Sequence, residues 1–203
     1  MTIIEKPAVV LASDSTTRRR MLENAGVVFD ICPARIDEEE IKQSLLSEGA
    51  SVDETADALA ERKAAYVSRL QPDKIVIGAD QILQCDGEIF SKPGDRESAQ
   101  SQLIRLRGRD HELISVVCVV RGNQRLWHHL DRAHLTMRNF SDAFLEAYLD
   151  EVGDTALEGP GGYRVEELGA QLFSRITGDY FTILGLPLLP LLDYLRLRGA
   201  LQA

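Results

Sequence analysis

Basic residues are scarce in this 203-residue sequence compared with acidic ones. Lys and Arg number 23 and Asp and Glu number 32, so the formal net charge is −9. Extended nucleic acids and anionic membrane surfaces bind basic faces, and this charge balance argues against both as partners. It does not argue against a single small polyanion, because a few cations in one pocket can oppose the overall sign.

Cysteines are also few, three in all, and they lie far apart in the sequence. They form no CxxC pair, and the four histidines form no HExxH motif, so a disulfide framework and a zinc site are both disfavoured. No apolar run is long enough for a membrane span, and the amino terminus does not have the pattern of a signal peptide. We therefore expect a cytoplasmic protein with reduced thiols.

Two common phosphate-binding motifs are missing as well, the GxxxxGK(S/T) loop and a GxGxxG turn after a predicted strand. The segment SDSTTRRR (13–20) stands instead where a predicted strand over 7–12 leads into a predicted helix, which runs from Thr16 to about residue 25. Hydroxyl groups, the free N–H groups of a helix start and guanidinium groups all suit a polyphosphate. They also suit a capped surface helix with a basic first turn, and both interpretations stay open.

Apolar runs alternate with helical periodicities along the chain, which predicts an α/β fold. The length of the chain predicts a single domain over 1–203. We expect helices over 52–70 and 96–107, a helix capped by Ser141 that ends near residue 149, and a closing helix over 186–198. A central strand is expected over 74–79, followed by a hairpin turn at Asp86-Gly87. The acidic stretch 37–40 is interpreted as a polar connection.

Three further features could carry chemistry. Asp80 stands at the exit of the most apolar predicted strand. A carboxylate at the end of a strand can serve as a base or a metal ligand, although a turn or capping role is commoner. Lys63 and Lys92 each suit a solvated surface when considered alone. The glycine-rich loop before Tyr163 favours a close approach of backbone to a ligand, with Tyr163 packed on that ligand or partly buried in the protein.

Eight segments in this order resemble the Maf family, the septum formation inhibitor Maf and Maf-like proteins, which are nucleoside triphosphate pyrophosphatases. They are LASDSTTRRRML (11–22), IDEE (36–39), LAERKA (59–64), VIGADQIL (76–83), DGEIFSKP (86–93), LRGRDH (106–111), GGYRVEELGA (161–170) and ITGDYFTILGLPL (176–188). The resemblance implies a two-lobed mixed-sheet fold with a deep cleft, similar to inosine triphosphate pyrophosphatase. It also implies a Mg²⁺- or Mn²⁺-dependent cleavage of nucleoside triphosphates between the α and β phosphates, and a homodimer.

The resemblance also assigns roles to individual residues. Asp80 falls on the position of the catalytic base that activates water. Asp80 and Asp37 fall on the acidic positions near the metal. The phosphate-contacting positions correspond to Ser13, Arg18, Lys63 and Lys92.

Base preference in the family depends on three positions, here Thr17, Gln81 and Glu166. Gln81 and Glu166 are similar to the branch that acts on 7-methyl-GTP, but that branch has Trp where Thr17 stands. The Glu166 carboxylate can accept hydrogen bonds from guanine N1–H and the 2-amino group, which uracil and thymine cannot offer. We therefore expect a purine-leaning or modified-nucleotide pyrophosphatase. The alternative is a non-catalytic nucleotide-binding or protein-interaction module in cell-division control.

Overall fold

The computed structural model describes residues 9–202, and over that range it contains seven β-strands and seven α-helices. In chain order these are β1 (Val9–Leu11), α1 (Thr16–Asn24), β2 (Asp30–Ile31), α2 (Glu38–Ser47), α3 (Val52–Leu70), β3 (Ile75–Cys85), β4 (Glu88–Phe90), α4 (Arg96–Leu106), β5 (Asp110–Arg121), β6 (Gln124–Met137), α5 (Asp142–Val152), β7 (Phe173–Thr177), α6 (Tyr180–Ile183) and α7 (Leu188–Leu197). Short 3₁₀ helices cover Gly153–Leu157, Pro160–Gly162 and Leu168–Leu172. None of the helices in residues 9–202 is long and apolar enough to cross a membrane.

The strands form one mixed sheet in the order β2-β1-β3-β5-β6-β7, with β4 paired to β3. β1 is parallel to β2 and β3, whereas the β3–β4 and β6–β7 pairs are antiparallel. The predictions of an α/β class and a mixed sheet are therefore confirmed. In the β1–β3 register Leu11 lies opposite Ile77. Because the two strands are parallel, the loop that follows β1 lies beside the β3 residues that follow Ile77, namely Gly78, Ala79 and Asp80.

Several helices begin at a side chain that caps the first turn. Ser15, Asp95 and Ser141 each accept a hydrogen bond from a backbone N–H in the first turn of α1, α4 and α5. Ser51 and Glu54 form a reciprocal capping box at α3, the helix whose predicted bounds are confirmed. The Asp86-Gly87 turn is also confirmed, since both residues have a positive φ and join the antiparallel β3 and β4.

The stretch 37–40, expected to be a polar connection, is instead the start of α2. Asp37 caps the helix, and the three glutamates that follow occupy its first turn, where the positive end of the helix dipole stabilises them. α2 contains no buried residue, and only three of its ten residues, Ile41, Leu45 and Leu46, are apolar, so the acidic run dominates this stretch of the sequence. α5 also continues to Val152, beyond the expected end near residue 149. The first two residues of the strand predicted over 7–12 lie outside the described range.

The chain divides into two compact units, and β3, β5 and β6 contribute residues to both. Unit 1 comprises residues 9–81, 115–131 and 184–202 of the described chain. Its core consists of apolar side chains from its strands and from α1, α3 and α7, namely Val10, Leu11, Leu22, Leu59, Val67, Val76, Ile77, Val117 and Leu195.

Unit 2 comprises residues 82–114 and 132–183. Its core cluster joins the β3–β4 hairpin, α4, α5 and the glycine-rich loop, with Leu83, Leu103, Leu106, Leu135, Leu145, Tyr148 and Tyr163 among its members. Gly161 and Gly162 both have a positive φ, the conformation that glycine adopts more readily than any other residue.

Gly78 lets α3 approach β3 closely inside unit 1. A methyl group at Gly78 would overlap the carbonyl oxygen of Ala60 and lie 2.7 Å from the backbone nitrogen of Ala64. Any larger residue therefore pushes the helix away from the strand, and this contact sets the distance between side chains on the two elements.

We expect Gly78→Ala to lower the free energy of unfolding by about 3 kcal/mol, because backbone atoms of α3 have to shift to admit the methyl group. Gly94→Ala is the matched control, since a methyl group there meets open space. Urea denaturation measures both. Equal stability of the two variants would show that α3 and β3 are not closely packed at Gly78.

Candidate active site

Ser13 and Ser15 shape the loop that links β1 to α1. The backbone N–H of Ser15 donates to Ser13 Oγ over 3.2 Å, and the N–H of Arg18 donates to Ser15 Oγ over 3.3 Å. Thr17 is the second residue of α1 and is partly exposed. The loop is thus organised by its own hydroxyl groups, in agreement with the prediction of a capped helix start.

Arg18 turns its side chain inward, toward the backbone of two other segments of unit 1. Its Nε donates to Gly185 O over 2.8 Å, and its Nη1 donates to Ala79 O over 2.9 Å and to Ser13 Oγ over 3.4 Å. Within the described chain Nη2 has no hydrogen-bond partner and is the nitrogen left for an anion. Arg18 is consequently an anchor of β3 and of the segment before α7 as well as a candidate phosphate ligand.

The electrostatic surroundings of Arg18 are mixed. Burial lowers the pKa of its guanidinium, while the negative charges of Asp80 and Glu38 act in the opposite direction. An arginine side chain remains protonated in proteins over the whole physiological pH range. Arg18 therefore contributes a fixed positive charge beside two carboxylates.

Lys63, Asp80 and Glu38 form the charged centre of unit 1. Lys63 Nζ lies 2.7 Å from Asp80 Oδ1 and 2.6 Å from Glu38 Oε2. The side chains of Lys63 and Asp80 are only 7% and 8% exposed, whereas that of Glu38 is 51% exposed. One ammonium group from α3 thus joins a buried carboxylate of β3 to a half-exposed carboxylate at the start of α2.

The position of Lys63 follows from the packing of α3 on β3. Lys63 directly precedes Ala64, one of the two residues that face Gly78, and Asp80 stands two residues after Gly78 on the strand. Residues two apart on a strand point to the same face of the sheet. The close helix–strand approach at Gly78 therefore brings the lysine and the aspartate together.

Asp37 and Glu38 have different surroundings although they are adjacent. Asp37 is exposed, and its Oδ1 accepts the backbone N–H of Glu40 over 3.0 Å as the cap of α2. Glu38 is the residue whose carboxylate meets Lys63. The sequence offered Glu38 only as a member of an acidic run, and the start of α2 decides which carboxylate faces Lys63.

A divalent cation such as Mg²⁺ would find hard oxygen donors at Asp80 and Glu38, the two carboxylates on Lys63. In the described part of the chain no three histidine, cysteine or acidic side chains gather as a set that could hold a metal. Mg²⁺ is commonly bound by one or two carboxylates together with substrate phosphates and water. The donor set fits a cation that arrives with a phosphorylated ligand.

Gln81 and Gly185 lie beside this charged centre in unit 1. Gln81 Nε2 donates to Ser115 Oγ over 3.0 Å. Gly185 has φ +91°, and a side chain there would approach both Gln81 and Arg18 Nη2. Sequence reasoning missed Gly185 and Ser115, because their contribution lies in backbone geometry and in a partner brought from a distant strand.

Lys92 and Glu166 belong to unit 2. Lys92 is exposed and stands two residues after β4. Glu166 Oε1 accepts hydrogen bonds from Arg164 Nε over 3.1 Å and from Arg164 Nη2 over 3.0 Å. Both residues remain predictions as ligands of a substrate.

Tyr163 is buried in unit 2, where its hydroxyl lies 2.7 Å from His111 Nε2 and its ring packs edge-on against Phe173. Of the two placements left open for Tyr163, burial in the protein is the one observed. Burial raises the pKa of Tyr163 and lowers the pKa of His111 to about 4. His111 Nδ1 is buried and has no partner among the described residues. Neutral His111 thus holds Tyr163, and with it the glycine-rich loop.

Residues 8–198 match the family model described as "Maf-like protein". The chain belongs to the Maf-like protein family. Relatives called "Nucleoside triphosphate pyrophosphatase" occur in Paramagnetospirillum magneticum, 50% identical over 95% of this chain and 99% of the relative, and in Granulibacter bethesdensis, 51% identical over 95% and 98%. A Rhizobium meliloti relative called "7-methyl-GTP pyrophosphatase" is 46% identical over 98% of this chain and 100% of its own.

Among solved structures, a "Nucleoside-triphosphatase / dITP/XTP pyrophosphatase" from Mycobacterium abscessus aligns with TM-score 0.38 and 14% identity over 65% of this chain and 74% of its own. A likeness this distant adds nothing to the family assignment, which depends on the model match and on the relatives near 50% identity.

For this Maf-like protein we expect Lys63→Met to lower the free energy of unfolding by about 3 kcal/mol at neutral pH, because the buried Asp80 charge loses its partner. Adding Asp80→Asn to Lys63→Met should recover most of that loss. Arg19→Met is the control, since Arg19 and Glu23 form an exposed pair worth well below about 1 kcal/mol. Urea denaturation of the four proteins measures the differences, and a loss as small as that of Arg19→Met would contradict the role of the pair.

Stability should also fall as the pH drops from about 6.5 toward 4, because the unfolded chain then binds a proton at His111 that the folded chain excludes. The pKa difference corresponds to about 3 kcal/mol of unfolding free energy over that range. His111→Phe removes this contribution, so the stability difference between wild type and variant should shrink by that amount on acidification. Urea denaturation between pH 7 and pH 4 tests it, and parallel curves would show that His111 titrates normally in the fold.

Proposed function

We propose that this protein hydrolyses nucleoside triphosphates between the α and β phosphates, releasing the nucleoside monophosphate and pyrophosphate. The observation that supports it most is the buried Lys63–Asp80 pair with Glu38 on the same ammonium group. Relatives near 50% identity over almost their whole length are named for this activity. These relatives are named as enzymes, which favours turnover over a module that only binds nucleotides.

In the proposed reaction Asp80 accepts a proton from the attacking water. The water oxygen bonds to the α phosphorus, the bond from that phosphorus to the oxygen bridging to the β phosphorus breaks, and pyrophosphate leaves with the electron pair. A base in contact with the reacting water contributes typically about 10²–10⁴-fold to the rate. The Lys63 contact holds the Asp80 carboxylate in one orientation before substrate binds.

Cations account for the other part of the proposed mechanism. Negative charge builds on the equatorial and leaving oxygens of the phosphates in the transition state. Lys63, the free Nη2 of Arg18, and Lys92 are the proposed ligands of those oxygens, with the Ser13 loop beside Arg18. Preorganised charges of this kind are usually the largest catalytic contribution, because they need no rearrangement during the reaction.

Asp80 and Glu38 are the residues we propose to hold Mg²⁺ or Mn²⁺ together with the phosphates. When bound, the cation neutralises charge on the phosphate oxygens. The resemblance points to Asp37 as an acidic residue near the metal. The capping bond of Asp37 and the contact of Glu38 with Lys63 favour Glu38 for a direct bond and leave Asp37 as the residue that fixes the start of α2.

We further propose a preference for guanine-type bases, with Glu166 as the acceptor of the base donors and Gln81 and Thr17 as further specificity positions. The support is chemical: a carboxylate accepts N–H donors, and guanine presents two adjacent ones where uracil presents one between two carbonyls.

A cytoplasmic location accords with three cysteines that are free thiols. The homodimer stays a prediction.

The test is a nucleotide panel with product separation, using GTP, 7-methyl-GTP, ITP, UTP and dTTP with Mg²⁺ or Mn²⁺. We expect pyrophosphate and the monophosphate, no release with excess chelator, and recovery on adding the metal. Asp80→Asn should lower kcat by at least about 100-fold. Asp193→Asn is the control, because Asp193 is exposed and pairs with Arg196 in α7.

Thermal unfolding of each variant separates a folding defect from a catalytic one. Orthophosphate as the product would contradict the bond assignment. Full activity of a folded Asp80→Asn protein would contradict the role of Asp80 as the base.

A further inference from the structure

Arg164 stands at the centre of three glutamates in unit 2. Its Nη1 lies 2.9 Å from Glu158 Oε2 and 3.3 Å from Glu167 Oε1, and its Nη2 lies 3.0 Å from Glu166 Oε1. The Arg164 and Glu166 side chains are only 15% and 20% exposed, while Glu158 and Glu167 are each almost half exposed. The contact with Glu166 is therefore the one most shielded from water.

The bond between Arg164 and Glu166 has a specific geometry. Nε and Nη2, the two nitrogens along one edge of the planar guanidinium group, both donate to the single oxygen Oε1. A carboxylate offers about four acceptor positions, two on each oxygen, and this fork fills both positions on Oε1. Among the residues that the structure describes, none donates to Oε2, so the remaining capacity of Glu166 lies on that one oxygen.

The loop itself keeps Arg164 and Glu166 in place. The N–H of Glu167 donates to the carbonyl oxygen of Arg164, and a methyl group at Gly169 would overlap that same carbonyl oxygen. Tyr163, the residue before Arg164, is fixed in the core by His111. The backbone on both sides of the arginine is thus closely packed, and the direction of its side chain is set by the fold.

Electrostatics also favour one arrangement of these groups. Burial by itself would lower the pKa of Arg164, but the hydrogen bond to Glu166 and the charges of Glu166, Glu167 and Glu158 together raise it. The single positive charge of Arg164 cannot neutralise the three glutamate charges, so the carboxylates repel each other unless the arginine lies between them. Loss of the arginine would release Glu166 from its present orientation.

The donor edge of guanine has the same shape as the fork that Glu166 already accepts. N1–H, C2 and the 2-amino group of guanine form an N–C–N unit with two parallel donors, as Nε, Cζ and Nη2 do in arginine. One carboxylate oxygen accepts both donors of such a fork, as Oε1 does with Arg164. Oε2 is therefore a fitting acceptor for the second fork, that of the base.

We propose that Arg164 is a positioning residue for base selection, which occupies Oε1 of Glu166 and presents Oε2 to the N1–H and 2-amino donors of a guanine-type base. This inference depends on the proposed function, because it assigns Glu166 to the nucleotide base. It adds the residue that fixes the orientation of Glu166 and the number of donors that the carboxylate can take.

The exocyclic amine is the part of the base that separates this inference from a general effect on the loop. GTP and ITP differ only in the 2-amino group, so the ratio of their kcat/KM values cancels what the two nucleotides share. We expect wild type to favour GTP by about tenfold, the size of one hydrogen bond to a charged group. Arg164→Lys keeps the positive charge but lacks the fork, and the ratio should fall close to one through a higher KM for GTP.

Two sets of variants control this measurement. Glu158→Gln and Glu167→Gln remove the other two partners of Arg164 and should leave the GTP-to-ITP ratio as in wild type. Glu166→Gln should lower the ratio, and adding Arg164→Lys to it should change the ratio no further, because the arginine acts only through that carboxylate. Thermal unfolding monitors folding, and Arg164→Gln, which lacks the charge, is the second variant at that position.

An equal loss of activity on GTP and ITP in Arg164→Lys would overturn the inference and leave Arg164 as a structural residue of the loop. A wild-type ratio of one would also overturn it. If no nucleotide yields pyrophosphate, the proposed function fails, and the dissociation constants of GMP and IMP, measured by calorimetry, then decide the inference separately. Tighter GMP binding that Arg164→Lys abolishes would support it, and equal binding of GMP and IMP would refute it.

Discussion

The charged centre of unit 1 depends on the buried ion pair between Lys63 and Asp80, and that pair depends on a glycine. Two charges removed from water cost several kcal/mol each unless they meet in good geometry. Gly78 permits α3 to lie directly on β3, so the ammonium group reaches the carboxylate at 2.7 Å. Glu38 completes the arrangement from the half-exposed start of α2. A protein that has to keep a carboxylate ready beside a cation, away from bulk water, obtains it here from one helix–strand contact.

An arginine holds other groups in place both in the charged centre of unit 1 and in the glycine-rich loop region of unit 2. Arg18 joins α1 to the backbone at Ala79 and Gly185 with two of its nitrogens. Arg164 holds Glu166 and two further glutamates. A guanidinium group has five donors in a fixed plane, so it can fix neighbouring groups with some donors and still offer others to a ligand. Lysine has no such planar set of donors, and the single ammonium group of Lys63 instead bridges the carboxylates of Asp80 and Glu38.

The acidic excess of the chain is compatible with the proposed polyanionic substrate, because the charges in direct contact with a ligand differ from the overall charge. Arg18 and Lys63 carry fixed positive charge beside the carboxylates of Asp80 and Glu38, and much of the acidic surplus lies on exposed helix faces such as that of α2. Net charge describes long-range attraction, which matters for extended nucleic acids with many phosphates. A single triphosphate responds to the few groups within direct contact. The overall charge of −9 therefore limits the class of partner without deciding the ligand of one site.

Local chemistry in the sequence was sufficient for the α/β class, for the capped starts of α1 and α5 and for the Asp86-Gly87 turn, because each depends on residues close together in the chain. The family resemblance was also visible in the sequence, because it depends on the order of short motifs. Local chemistry did not reveal α2, of whose ten residues only three are apolar, nor the burial of Tyr163 against His111. It also could not decide between Asp37 and Glu38, or show that Arg164 occupies one oxygen of Glu166. Those outcomes depend on the start of a helix, on the fold of a loop and on atoms brought from distant segments. Distances of 3 Å between side chains are fixed by packing in three dimensions, and the tertiary structure alone decides them.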